Sequence, residues 1–202
     1  MTEPAQLAVI GRHIDRLVTV EARISPTSRN VIVHLYEAAC AAQGGGPLSI
    51  LAAQQILQHL GPGKVVFLTT GAGDPRYLPA GETDGPPGVA ALALAIHAAT
   101  GAVPLLFTEE PFRENLAATT LAAGLGIRSP EHALNTGFTT AILPLAHDDS
   151  AEQQAASYLD TYKPAMVISI EKIGPNKHGI AHTSTGTPTA ADRARAECLF
   201  DE

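Results

Sequence analysis

The feature that most constrains this chain is an alternation of short apolar runs with segments of helix length. Runs at 64–70 (KVVFLTT), 103–108, 141–145 and 165–170 are separated by helical patterns over 86–100, 111–125 and 150–161. Unbroken apolar runs of this length, rich in Val, Ile, Leu and Phe, read as strands buried on both faces. Parallel neighbours need a crossover of a dozen or more residues, and the intervening helices supply it. The predicted fold is therefore α/β, a mostly parallel sheet of at least four strands with crossover helices.

Ahead of the first run, Leu7, Ile10, Ile14, Leu17 and Val18 recur at helical spacing, with Arg12, Asp15, Arg16 and Glu21 among the intervening positions. This predicts a helix over 4–23, a break at Ser25, Pro26, Thr27 and Ser28, and a second helix over 31–42. A third follows Gly44-Gly45-Gly46-Pro47 and runs to about Leu60. Residues 1–43 are expected to be a helical lead-in and 44–202 the α/β core, the whole forming one domain. The last segment, from Pro188 through Asp192, Arg195 and Glu197, begins as an amphipathic helix and has no C-cap signal. The expectation is that the core is incomplete at that end.

Composition narrows the partners. Only 4% of residues are aromatic and none is Trp, a poor basis for an all-β sandwich. The formal charge is −7 and the basic residues form no stripe, which argues against nucleic acid and anionic membranes. No stretch is apolar and long enough to cross a bilayer, so the default expectation is a cytoplasmic protein. Cys40 and Cys198 lie far apart and outside any CxxC pattern, as two reduced thiols would. Gly71-Ala72-Gly73 lacks the full dinucleotide fingerprint, and Gly44–Pro47 lacks the Gly-Lys-Ser/Thr ending of a P-loop. No nucleotide cofactor is expected.

In open parallel sheets ligands bind outside the carboxyl ends of the strands. The residues that follow the four runs are Gly71 onward with Glu82 and Asp84, then Glu109-Glu110, then His147-Asp148-Asp149, and last Glu171-Lys172 with His178 and His182. Acids thus gather at one predicted edge. Neighbouring carboxylates repel unless a cation neutralises them or one keeps a proton, so a divalent ion such as Mg²⁺ or Mn²⁺ and a proton-sharing acid/base site are the two readings.

The GETDGPPG segment, 81–88, holds Glu82 and Asp84 between glycines and prolines just before a helix. It reads as a rigid ligand loop, or as an Asx turn that caps the helix. His178 and His182 are four apart with Gly179 between them, which favours a loop; they are either ligands or bases, or plain polar residues. The Gly45 and Gly46 amides at a helix start could hold a carboxylate, or form only an interhelix turn. His13, His34, His59 and His97 fall on helices and read as surface or packing residues. No GxSxG elbow supports a serine hydrolase.

Three blocks carry a resemblance: AAQGGGPLSILAAQQIL at 41–57, VVFLTTGAGDPRYLPAGETDGPPG at 65–88 and VISIEKIGPNKHGIAHTSTG at 167–186. In that order they resemble the D-glutamate cyclase C-terminal-like domain family. The resemblance implies a hydro-lyase that closes D-glutamate to 5-oxo-D-proline with loss of water, acting on a small amino-acid substrate. By position it points to Glu82, Asp84 and Glu171 as the site acids and metal ligands, with Gly81, Gly85 and Gly88 shaping the loop. Beside them, Glu171, His178 and Lys172 are the candidate catalytic residues, and Gly45, Gly46, Lys177 and His182 the candidate substrate contacts. Another metal-dependent enzyme (a hydrolase or phosphate-ester enzyme) and a non-catalytic binding module are the alternatives, and a homo-oligomer stays open.

Overall fold

The computed structural model describes residues 4–21, 31–73, 78–183, 186–189 and 193–200. The break at Ser25–Ser28, Asp74 in the first loop and Asp192 lie outside those residues. The chain divides into two compact units, 1–58 and 59–202.

The first unit holds three helices, α1 (Pro4–Val18), α2 (Val31–Ala42) and most of α3 (Leu48–His59). α1 stops at Val18, short of the expected 23. Asp15, which the helical spacing places on a polar face, is 2% exposed. Its carboxylate accepts from Tyr36 Oη at 2.7 Å and from the amides of Leu48 at 2.6 Å and Ser49 at 3.1 Å, so an acid of α1 caps α3. These bonds outweigh burial and hold the carboxyl below its ordinary value. Gly11 lets the helices close up, because a Cβ there would fall 2.3 Å from Ile50 Cγ1.

The second unit is a five-stranded, wholly parallel sheet in the order β3-β4-β2-β1-β5. Its strands are β1 (Val65–Thr69), β2 (Val103–Thr108), β3 (Gly126–Ile127), β4 (Thr139–Pro144) and β5 (Met166–Ser169). The helices α4 (Gly85–Thr100), α5 (Arg113–Ala123), the short α6 (Pro130–Ala133) and α7 (Ala151–Tyr162) lie between them. The α/β architecture with a helical segment ahead of the first strand is thus as expected. β1 and β2 are buried at every position, as central strands covered on both faces must be.

Alternation sorts the side chains. Val65, Phe67, Leu105 and Phe107 enter one core cluster, where the Phe67 and Phe107 rings sit 4.5 Å apart and meet Tyr162 and Tyr158 of α7. Val66, Leu68 and Leu106 point the other way and are fully buried. β3 was not expected, being only two residues long.

The expected terminal helix is absent among the described residues. Ala196–Leu199 forms one 3₁₀ turn instead. The reason lies in the amides before it: Ala194 N donates to Glu109 at 3.1 Å and Arg195 N to Ala146 O at 2.9 Å, so they are spent on the sheet unit and cannot start a helical ladder. No helix among the described residues is long and apolar enough to cross a membrane.

Candidate functional site

β5 lies on the opposite side of β1 from β2, so the carboxyl ends of β1 and β5 are neighbours at the edge where sheets of this class bind ligands, the candidate crevice. Three segments meet there. A Cβ on Gly85 would come 2.5 Å from Thr70 Oγ1 and 3.1 Å from Glu171 Cβ, so the start of α4, the end of β1 and the residue after β5 touch.

The GETDGPPG motif builds this corner. Asp84 is the N-cap of α4 and its Oδ1 accepts from Gly85 N at 3.1 Å, while Gly88 N bonds to Asp84 O at 3.2 Å. Pro86 and Pro87 have no N–H to offer. The first turn of α4 therefore keeps no free amide for an anion, and the capping reading of Asp84 is realised. Glu82 is fixed by its backbone, whose N–H donates to Ala72 O at 2.8 Å. Its carboxyl is pushed above the ordinary value, first by burial and then by the charges of Asp84 and Glu171. Glu171 itself sits at φ 48°, a left-handed conformation that a non-glycine residue adopts at a cost of about 1–2 kcal/mol.

A second group lies beside the first. Lys172 Nζ donates to Gly71 O at 2.9 Å and forms an ion pair with Glu109 Oε1, and the two side chains are 4% and 11% exposed. Glu109 Oε1 also accepts from Ala194 N at 3.1 Å. Burial drives the Lys172 amine below its ordinary value, and the Glu109 charge opposes the shift. Glu109 Oε2, Thr70 Oγ1 and Thr108 Oγ1 are buried and have no hydrogen-bond partner among the described residues. The sequence placed Glu109 at this edge without a role and gave no signal for the two threonines.

The remaining candidates are not joined to these acids. Lys177 and His178 are exposed in a turn bridged by Pro175 and Ala181, where His178 N donates to Asn176 Oδ1 at 2.8 Å. His182 is half-buried, with its ring against Asn176 at 3.5 Å. Among the described residues no hydrogen bond or ion pair links any of the three to Glu82, Asp84 or Glu171. Gly45 and Gly46 belong to the helical unit, in the turn before α3, at φ 85° and 111°. Asp148 accepts from the Ser150 amide at 3.0 Å and hydroxyl at 2.5 Å, bonds that fix a turn before α7.

Asp84 and Glu171 are near enough to Glu82 to raise the cost of its charge, a burden a cation would relieve. As they stand they do not fit a metal: among the described residues no three His, Cys, Asp or Glu side chains form a group that could hold an ion. Asp84 has also committed one carboxylate oxygen to α4.

No curated protein and no solved structure matches this chain. The model of one family, D-glutamate cyclase-like, C-terminal, matches residues 34–202, the whole sheet unit and part of the helical one, and the chain therefore belongs to that family.

Proposed function

We propose that the chain is a hydro-lyase that converts D-glutamate to 5-oxo-D-proline and water at the crevice beyond β1 and β5. Family membership supports the reaction class, and one observation supports the place: Glu82 is driven toward its protonated form by burial and by Asp84 and Glu171.

Ring closure forms a bond between the α-nitrogen and the carboxylate carbon Cδ of the side chain, breaks one of the two Cδ–oxygen bonds, and moves two protons from the ammonium nitrogen to the departing oxygen, which leaves as water. The site must therefore accept protons at one point and return them at another. A carboxyl whose pKa is raised is suited to give a proton to the leaving oxygen, the role proposed for Glu82. Glu171, exposed and held in a strained backbone, is proposed to take protons from the amine. Lys172 is proposed to hold the end of β1 in place, since its Nζ is committed to Gly71 O and Glu109. Lys177 and His182 are proposed as substrate contacts, and His178 as a further residue that moves protons.

The test is to incubate the purified chain with D-glutamate, and with L-glutamate as control, after metal removal and again with Mg²⁺ or Mn²⁺. Production of 5-oxo-D-proline from the D-isomer alone is the expected result. Binding of D-glutamate without product under any metal condition would contradict the reading and favour a binding module.

A further inference from the structure

One carboxylate at the crevice is held on one oxygen and bare on the other. Glu109 follows β2, and its Oε1 accepts from both Lys172 Nζ and Ala194 N, so its orientation is fixed from two sides. Its Oε2 is buried without a partner among the described residues, and so is the hydroxyl of the neighbouring Thr108. Gly71 faces both: a Cβ there would lie 2.6 Å from Glu109 Oε2 and 2.7 Å from Thr108 Oγ1, hydrogen-bond distances that no carbon tolerates. The bare backbone of Gly71, at φ 120°, packs against the two oxygens, with the Phe112 ring 3.1 Å from the same point.

Leaving a buried polar group unpaired is costly, and more so for a charged one, so folded proteins keep few of them. Three occur here within two pairs of adjacent residues, 70–71 and 108–109, at the strand ends where this class of sheet binds ligands. A carboxylate oxygen can only accept, so the missing partner is a donor. A bare carboxylate oxygen repels an anion, even with Lys172 on the other oxygen of the same carboxylate. A primary ammonium brings a compact positive charge and three N–H donors. Oε2 and the Thr108 hydroxyl offer it two acceptors, and the bare Thr70 hydroxyl, one residue before Gly71, is the candidate third.

We infer that Glu109 Oε2 and Thr108 Oγ1 form the subsite for the primary amine of the substrate, reached when the Gly71 backbone yields. This rests on the amino-acid substrate proposed above, and it makes Glu109 and Thr108 substrate-binding residues.

The experiment is calorimetric titration of the full chain with D-glutamate and with glutarate, the same carbon chain lacking the amine. Wild type is expected to prefer D-glutamate. Thr108→Val, which leaves the ion pair untouched, and Glu109→Gln should each narrow that preference by about tenfold or more while leaving glutarate affinity unchanged. If Glu109→Gln fails to fold, Thr108→Val decides alone. An unchanged preference in folded Thr108→Val, equal binding of the two ligands by wild type, or binding of neither overturns the subsite. Amine preference without 5-oxoproline would keep the subsite and remove the cyclase reading; turnover with an unaltered preference in Thr108→Val would do the reverse.

Discussion

Each unit of this chain buries one acid that ties distant segments together, and the two are treated differently. Asp15 in the helical unit takes three donors and stabilises the junction of α1, α2 and α3. Glu109 in the sheet unit joins the ends of β1 and β2 to the stretch after β5 and to the C-terminal stretch, and one of its oxygens is left unpaired. The first pattern is what architecture alone requires. The second keeps an avoidable cost, and it does so at the strand ends where this chain's acids collect, which supports the site proposed there.

Truncation should separate the two most strongly. Glu109→Ala leaves the Lys172 amine buried without its counter-charge, and the sheet unit should lose about 3–5 kcal/mol in chemical denaturation. Replacing both partners, as Glu109→Leu with Lys172→Met, should recover most of that loss, because an apolar pair has no charge to desolvate. A double variant as unstable as the single one would show that the ion pair itself holds the sheet unit together.

Asp15→Ala comes next, at about 2–4 kcal/mol confined to the helical unit, since a hydroxyl and two amides lose their acceptor. The pH dependence has a definite sign. A folded pKa below the unfolded value of about 3.9 gives stability that is full above that pH and is lost as pH falls through the lower folded value. Asp15→Asn should flatten this acid limb in a pH-melting series; an unchanged limb would mean that the carboxylate is not the group responsible.

The smallest effect has the opposite sign. Glu82 is pushed up, so at neutral pH its ionised form weighs against the folded state. Glu82→Gln should melt slightly higher than wild type at pH 7, with the difference vanishing below pH 4, and should lose activity. Stabilisation joined to loss of turnover is the behaviour of a residue kept for function.

The contrast was only partly legible in the sequence. Local periodicity exposed four of the five strands and every crossover helix of more than four residues, because buried runs and Gly/Pro punctuation are local signals. It missed β3, at Gly126–Ile127, which is too short to have a period. It gave the C-terminal stretch a helix that the amides of Ala194 and Arg195 forgo by bonding to Glu109 and Ala146. The edge acids could be read from strand ends, and Glu82 and Asp84 from the turn chemistry around them. The pairing of Glu109 with Lys172 spans 63 residues and that of Asp15 with Leu48 spans 33, and no spacing rule reaches so far. Whether a buried acid ends up satisfied is decided by such pairings.

D-glutamate is proposed to close at the acid-lined corner of β1 and β5. The measurement that reaches it most directly is release of 5-oxo-D-proline by wild type, Glu82→Gln and Glu171→Gln side by side, each first shown to be folded by its melting curve. Product from wild type, with each variant down by about 100-fold or more, is the predicted result. Turnover at the wild-type rate in both folded variants would contradict it.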